Sequence, residues 1–164
     1  SVLGGAMHIA MHAFGKITLF FCAGAIFIAT GKKYISQMTG IGRQMPFTMT
    51  AFLLGSLSII GLPPFGGAWS KWYLFLGALD AEQILMAVIL VVSSLLNIAY
   101  LLPVAVNALF RKPPAGSGDD SIIGIREAPA ACVIPLCITA VAGFVIFLFP
   151  GLVFELARLL ISNG

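Results

Sequence analysis

Long apolar runs, each close to the length of a membrane crossing, dominate this chain. A spanning helix takes about 20 apolar residues. One run extends roughly from Val2 to Thr30, a second from Pro46 to about Leu62, another from about Ile84 to Ala108, and a last from Pro129 to about Leu160. Of the 164 residues, 60% are hydrophobic and 9% charged, where a soluble domain carries about 25% charge. The mean hydropathy is +1.06. These values describe an integral membrane protein of the all-α class. Its formal net charge of +3 is small, and its basic residues are scattered, which excludes the clustered basic patch that nucleic-acid binding requires.

Between the second and fourth runs lies Gly61-Leu-Pro-Pro-Phe-Gly-Gly67. Two adjacent prolines and a glycine pair do not continue a helix. The third run, Ala68 to Leu79, would cover only about 18 Å as a helix, too little to cross alone. It reads as one part of a broken helix whose irregular piece is Pro63–Gly67. Irregular backbone at membrane depth is tolerated where protein shields it or where it lines a wet cavity, and transporters place such breaks near their ion sites. The expectation is about five transmembrane helices, one discontinuous at Pro63–Gly67. Residues 1–164 are expected to form one transmembrane bundle, cut from the C-terminal part of a longer subunit. With five crossings, Lys32, Lys33, Arg43 and Arg158 would share one side. Arg111, Lys112 and Arg126 would lie on the other, a split too even for the positive-inside rule to orient.

Four ionisable groups in the apolar runs, His8, His12, Lys16 and Lys71, stand apart from Glu155 and Arg158, a snorkelling pair near the end of the last run. His8, His12 and Lys16 follow one another at intervals of four, so all three share one helix face. Apolar sequence extends about 14 residues to either side of Lys16, or about 21 Å, beyond the reach of a snorkelling side chain. Lys71 follows the break, in Trp69-Ser-Lys-Trp-Tyr73. The flanking aromatics leave open an interfacial belt with Lys71 turned outward. A lysine at mid-bilayer costs about 2.5–3.5 kcal/mol on insertion scales and by default marks an ion or proton route. Two ammonium groups at roughly 10 Å repel by about 1.7 kcal/mol at an effective dielectric near 20. Charging one therefore discourages charging its neighbour, so a chain of such sites can be driven from one end. The histidines titrate near neutrality without help and would extend a relay about 12 Å along the helix. Ser70 and the backbone of Pro63 to Gly67 are candidates for ordering water beside Lys71.

Other readings compete. The His-x-x-x-His spacing also suits a zinc pair, as in an intramembrane metalloenzyme, but the zinc-protease form needs Glu directly after the first His, and that position is Ile9. A purely structural membrane subunit, its lysines held by neighbouring carbonyls, is a second rival. A sodium-specific carrier is a third. Ser93, Asn97, Tyr100 and Asn107 form a polar stripe, which suits either a pathway or helix–helix hydrogen bonding. Cys22, Cys132 and Cys137 are an odd set without regular spacing, read as small apolar residues rather than a disulfide framework. No phosphate loop, dinucleotide fingerprint or Cys-x-x-Cys pair occurs, so no redox chemistry and no bound cofactor is expected of this chain.

Taken together, His8-Ile-Ala-Met-His12-Ala-Phe-Gly-Lys16-Ile-Thr-Leu-Phe-Phe, Gly40-Ile-Gly-Arg-Gln-Met-Pro46 and Gly61-Leu-Pro-Pro-Phe-Gly-Gly-Ala-Trp-Ser-Lys71 resemble one family. It comprises the proton-translocating antiporter-like subunits: the large membrane-arm subunits of respiratory complex I and the Mrp-type sodium/proton antiporter subunits. The resemblance covers about residues 1 to 110. It implies the second of two inverted five-helix repeats, the tenth to fourteenth of about fourteen helices. By that resemblance Lys16 is the central lysine of a proton path, His8 and His12 its connectors, and Lys71 the outlet beside the discontinuous twelfth helix. A lysine at the outlet is similar to the Mrp D-type and distal complex I subunits. Gly15 stands where many members carry an aromatic residue and would open space beside Lys16. The family's Glu–Lys pair belongs to the first repeat, outside this sequence. The implied partners are that repeat, neighbouring membrane subunits of an antiporter or NADH:quinone oxidoreductase-type complex, and protons or Na+ as the ions carried. The implied location is a bacterial inner membrane.

Overall fold

The computed structural model describes residues 2–111 and 124–162. Among these residues six helices follow one another: α1 (Val2–Thr30), α2 (Pro46–Ile60), α3 (Gly67–Asp80), α4 (Ile84–Phe110), α5 (Ala130–Leu148) and α6 (Pro150–Ser162), with short 3-10 turns at Ile35–Met38 and Ile41–Arg43. By length and apolarity α1, α4 and α5 can each cross a membrane alone, and α2 is a shorter apolar helix.

The boundaries follow local chemistry. Pro46 opens α2, where its missing N–H costs nothing and its ring pre-sets φ. Gly61 closes α2 in the left-handed region, with φ +85° and its N–H on the Leu57 carbonyl, a conformation that glycine adopts without a Cβ penalty. Pro150 opens α6 directly after Phe149, so the last apolar run is divided there.

The contacts show how the pieces are stacked. Going along α1, Gly4 backs onto Tyr73 and Leu74, His8 reaches Ser70, Gly15 meets Ile59, Thr18 lies against Gly55, and Cys22 reaches the Thr48 carbonyl. The partners run backward through α3 and then α2 without reversing. The two helices, of 15 and 14 residues, therefore form one discontinuous span antiparallel to α1. End to end they cover about 43 Å, the length of α1 with its 29 residues. The third run does not cross by itself; it completes the second.

The other helices extend this pattern. Gly42 packs on Ala108 and Leu109, and Lys71 meets Ser94, so α4 returns antiparallel to α2–α3. Gly66 donates to the Gly143 carbonyl, and the Trp69 indole to that of Phe147, so α5 runs parallel to α2–α3. Its continuation α6 sets Phe154 against Tyr73 and Ala157 among Met7 and Met11. The helices thus make four passages.

Four passages change the side assignment. The Gly40 N–H donates to the Asn107 carbonyl and the Arg126 N–H to that of Gln44. Lys32, Lys33, Arg43, Arg111 and Arg126 therefore gather at one end, and the expected separation of Arg111 and Arg126 from the first three is overturned. Asp80, Glu82, Glu155 and Arg158 stand at the other end. The expectation for Lys112 falls outside the described residues.

The buried stripe of α1 is Gly4, Met7, Met11, Gly15, Thr18, Cys22 and Ala25, spaced three and four as one helical face requires. His8, His12 and Lys16 lie one residue further on, along the edge of that stripe. Gly15 does not open space beside Lys16: a Cβ there would come within 2.9 Å of Ile59 Cγ1. The glycine instead lets α2 approach α1 closely, the usual role of small residues in membrane bundles.

Candidate functional site

The break between α2 and α3 organises the site. An α-helix ends with carbonyls that have no intrahelical partner and with the negative pole of its dipole. Lys71 meets both needs of α2: its Nζ donates to the Ile60 carbonyl oxygen at 2.9 Å and to Ser94 Oγ at 2.9 Å. Gly61 makes the approach possible, since a Cβ there would stand 2.7 Å from Lys71 Cδ. Helical side chains lean toward their own N-terminus, and the N-terminus of α3 points to the break. The ammonium is accordingly directed inward along the span, and the interfacial, outward-turned reading of Lys71 is not adopted. Ser94 in turn donates to the Leu90 carbonyl at 3.0 Å, so its hydroxyl accepts from Lys71.

A second cluster lies against the same half-helix. Ser70 is fully buried and donates to the Gly67 carbonyl at 3.1 Å. That commits its one proton, so His8 Nδ1, 2.9 Å away, is the donor to Ser70 Oγ. In the neutral imidazole this leaves Nε2 as an acceptor. The rings of His8 and His12 stack with centroids 5.1 Å apart. His12 lies within electrostatic reach of both Lys16 and Lys71.

Lys16, the central residue of α1, is exposed on the side of the bundle. With His12, Ser93, Asn97 and Tyr100 it lines a cleft of about 490 Å³. Lys71 and Ser94 line a separate cleft of about 380 Å³. Between the two stand Ile59, Ile60 and Leu101, packed with Leu19 and Ile98. The structure thus brings His8, His12 and Ser70 together, places Lys16 beside His12, and keeps the two lysines in different clefts. Three members of the α4 polar stripe, Ser93, Asn97 and Tyr100, face Lys16. Among the described residues no three His, Cys, Asp or Glu side chains are grouped to hold a metal ion, and all three cysteines are free.

Two contributors escaped the sequence reading. Ser94 is the polar member of the α4 packing face Ala87, Leu90, Ile98, Leu101 and Ala105, spaced three and four, and that placement was the available signal. Glu127, at the end of the polar loop, accepts at Oε1 from the Phe47 N–H at 2.7 Å and the Thr48 N–H at 3.3 Å, and at Oε2 from Thr48 Oγ1 at 2.6 Å. It caps the N-terminus of α2, where Met45 supplies no side-chain cap.

The sequence profile of the NADH:quinone oxidoreductase/Mrp antiporter transmembrane family matches residues 1–97. The chain belongs to that family. Within it, the chain is 38% identical over 156 residues to NADH-quinone oxidoreductase subunit N of Desulforudis audaxviator, covering 91% of this chain and 31% of the relative. It is 30% identical over 145 residues to the subunit N of Moorella thermoacetica, covering 86% and 29%. It thus spans about a third of the length of these curated relatives. Its fold is that of a chain in the Mrp complex from Dietzia, with a TM-score of 0.84 at 24% identity, over 95% of this chain and 36% of the other. The antiporter-like resemblance, the all-α membrane class and the family's membrane-transport character agree with these likenesses.

Proposed function

We propose that this chain forms part of a route by which protons cross a membrane, within a longer antiporter-like subunit of a cation/proton antiporter or an NADH:quinone oxidoreductase-type complex. Lys16 is the central relay, His12 and His8 the connectors, and Lys71 the outlet. The observation that carries this reading is the inward-turned Lys71 ammonium, bonded at the helix break to Ile60 and Ser94. Next to it, His8 and His12 form a stacked pair leading toward Lys16. Lys16 lies open on the side of the bundle, which is where the remaining part of such a subunit would enclose it. The relatives named as subunits of larger complexes support neighbouring membrane subunits as partners, and the reading takes a bacterial inner membrane as the location. The end carrying Lys32, Lys33, Arg43, Arg111 and Arg126 faces the cytoplasm by the positive-inside rule, and the half-helix that bears Lys71 leads to the opposite side.

Proton flux in liposomes holding the intact complex tests the reading. Lys16→Ala and Lys71→Ala are each expected to remove most of it, and wild-type flux in both would overturn the proposal. One observation favours a second reading: Lys71 is already held by a backbone carbonyl and a hydroxyl, as a purely structural strut would be. In that case Lys71→Ala would lower thermal stability and leave flux unchanged.

A further inference from the structure

The half-helix α2 is held by charge at both ends. Lys71 sits on its C-terminal carbonyl, and the Glu127 carboxylate accepts three hydrogen bonds from Phe47 and Thr48 in its first turn. Next to Glu127, the Arg126 N–H is bonded to the Gln44 carbonyl at 2.7 Å, so the chain leading into α5 is fastened to the chain leading into α2. Between the two caps runs an uninterrupted hydrogen-bonded rod of 15 residues, about 22 Å long. At Gly61 the rod ends, and irregular backbone follows before α3 begins at Gly67. The depth at which Ile60 presents its carbonyl to Lys71 is therefore set by the anchor at the far end of the rod together with its packing on α1, where Gly55 lies against Thr18 and Ile59 against Gly15.

We propose that Glu127 is a positioning residue for Lys71: by anchoring the first turn of α2 it sets where the Ile60 carbonyl meets the ammonium. This rests on the reading of Lys71 as the proton outlet only for its effect on flux; the placement itself stands on the hydrogen bonds. Carboxylates suit this task because a helix N-terminus offers unpaired N–H groups and the positive pole of the dipole, and charge-assisted bonds of this kind are short and strong. A shift of α2 along its axis would separate Ile60 from Lys71 and leave the ammonium with Ser94 alone of these two acceptors.

The test uses the intact complex in lipid, with lysine labelled at the side-chain nitrogen and observed by solid-state NMR. The Lys71 signal is identified as the one lost in Lys71→Arg. Glu127→Ala is expected to move that signal and to lower proton flux by about fivefold, the factor for a loss near one hydrogen bond. Glu127→Gln, whose amide oxygen still accepts from both N–H groups but carries no charge, is expected to change both less than Glu127→Ala does. An unmoved Lys71 signal in folded Glu127→Ala overturns the proposal. Should that variant fail to fold, Glu127→Asp gives the same reading: its carboxylate stops one methylene short, so the Lys71 signal must move, and an unmoved one overturns the proposal equally. Wild-type flux in Lys71→Ala, by contrast, defeats only the outlet reading and leaves the NMR result to decide the positioning.

Discussion

The Lys71 ammonium bonds to the carbonyl of Ile60, eleven residues back and on the other side of the helix break. A lysine near aromatic residues at a membrane boundary would ordinarily turn toward water. Here the orphan carbonyl and the dipole of α2 draw it toward the interior, and Gly61 leaves room for its methylenes. The break is therefore a site with its own chemistry and not a mere interruption.

Replacing Lys71 with Ala is expected to lower proton flux through the intact complex by about 100-fold, the lower range for loss of a proton-transfer group. The same change strands the Ile60 carbonyl, at a stability cost of about 1–3 kcal/mol. Flux in proteoliposomes and thermal unfolding in detergent measure the two effects separately.

The tandem serines on α4 should behave differently. Ser94→Ala removes an acceptor of a charged donor, a contact of about 1.5–3 kcal/mol, and should reduce flux at least about tenfold. Ser93→Ala alters only the wall of the Lys16 cleft and should have the smaller effect. Equal effects in the flux assay would contradict the assignment of Ser94 to Lys71.

Gly67→Ala is expected to damage the break directly. A Cβ at Gly67 would run into the backbone carbonyl oxygen of Ser58, which cannot swing aside as a side chain can. The expected loss is about 3 kcal/mol, at the upper end for overpacking, read as a lowered unfolding midpoint. Gly151→Ala, at a position with open space around it, is the control and should leave the midpoint near wild type.

Much of this arrangement was legible in the chain itself. The apolar runs, the Pro-Gly interruption and the spacing of His8, His12 and Lys16 depend on neighbours in sequence, and the helices follow them. What was not legible depends on contacts across space. Ser94 reads as an ordinary helix serine until α4 is laid beside α3. Glu127 reads as the end of a loop until that loop returns to the start of α2. The basic residues could be gathered at one end only once α3 was seen to complete the passage begun by α2, which removes one crossing from the count and brings Arg111 and Arg126 back to the side of Lys33.

Sidedness can be measured. In a background without the native cysteines, Lys33→Cys and Arg126→Cys should react with a membrane-impermeant maleimide from the same face, and Glu82→Cys from the opposite one. Labelling of Arg126→Cys together with Glu82→Cys would contradict the four-passage arrangement.

A hydroxyl pair fastens α1 to α5. The Thr18 and Thr139 hydroxyl oxygens stand in hydrogen-bond contact at 2.9 Å, and such bonds in membrane proteins are worth about 0.6 kcal/mol on average. Thr18→Val and Thr139→Val should each destabilise by about that amount. The double variant should cost less than the two separately, as expected for residues in direct contact.

The acceptors that the structure gives Lys71 are a carbonyl and a hydroxyl, both neutral. A proton arriving at or leaving this nitrogen accordingly alters the electrical charge at the break by one whole unit. Where a membrane sustains a voltage, displacing one elementary charge through all of it involves about 2.3 kcal/mol per 100 mV. Occupancy at Lys71 is thus tied to the field across the bilayer as well as to acidity on either side.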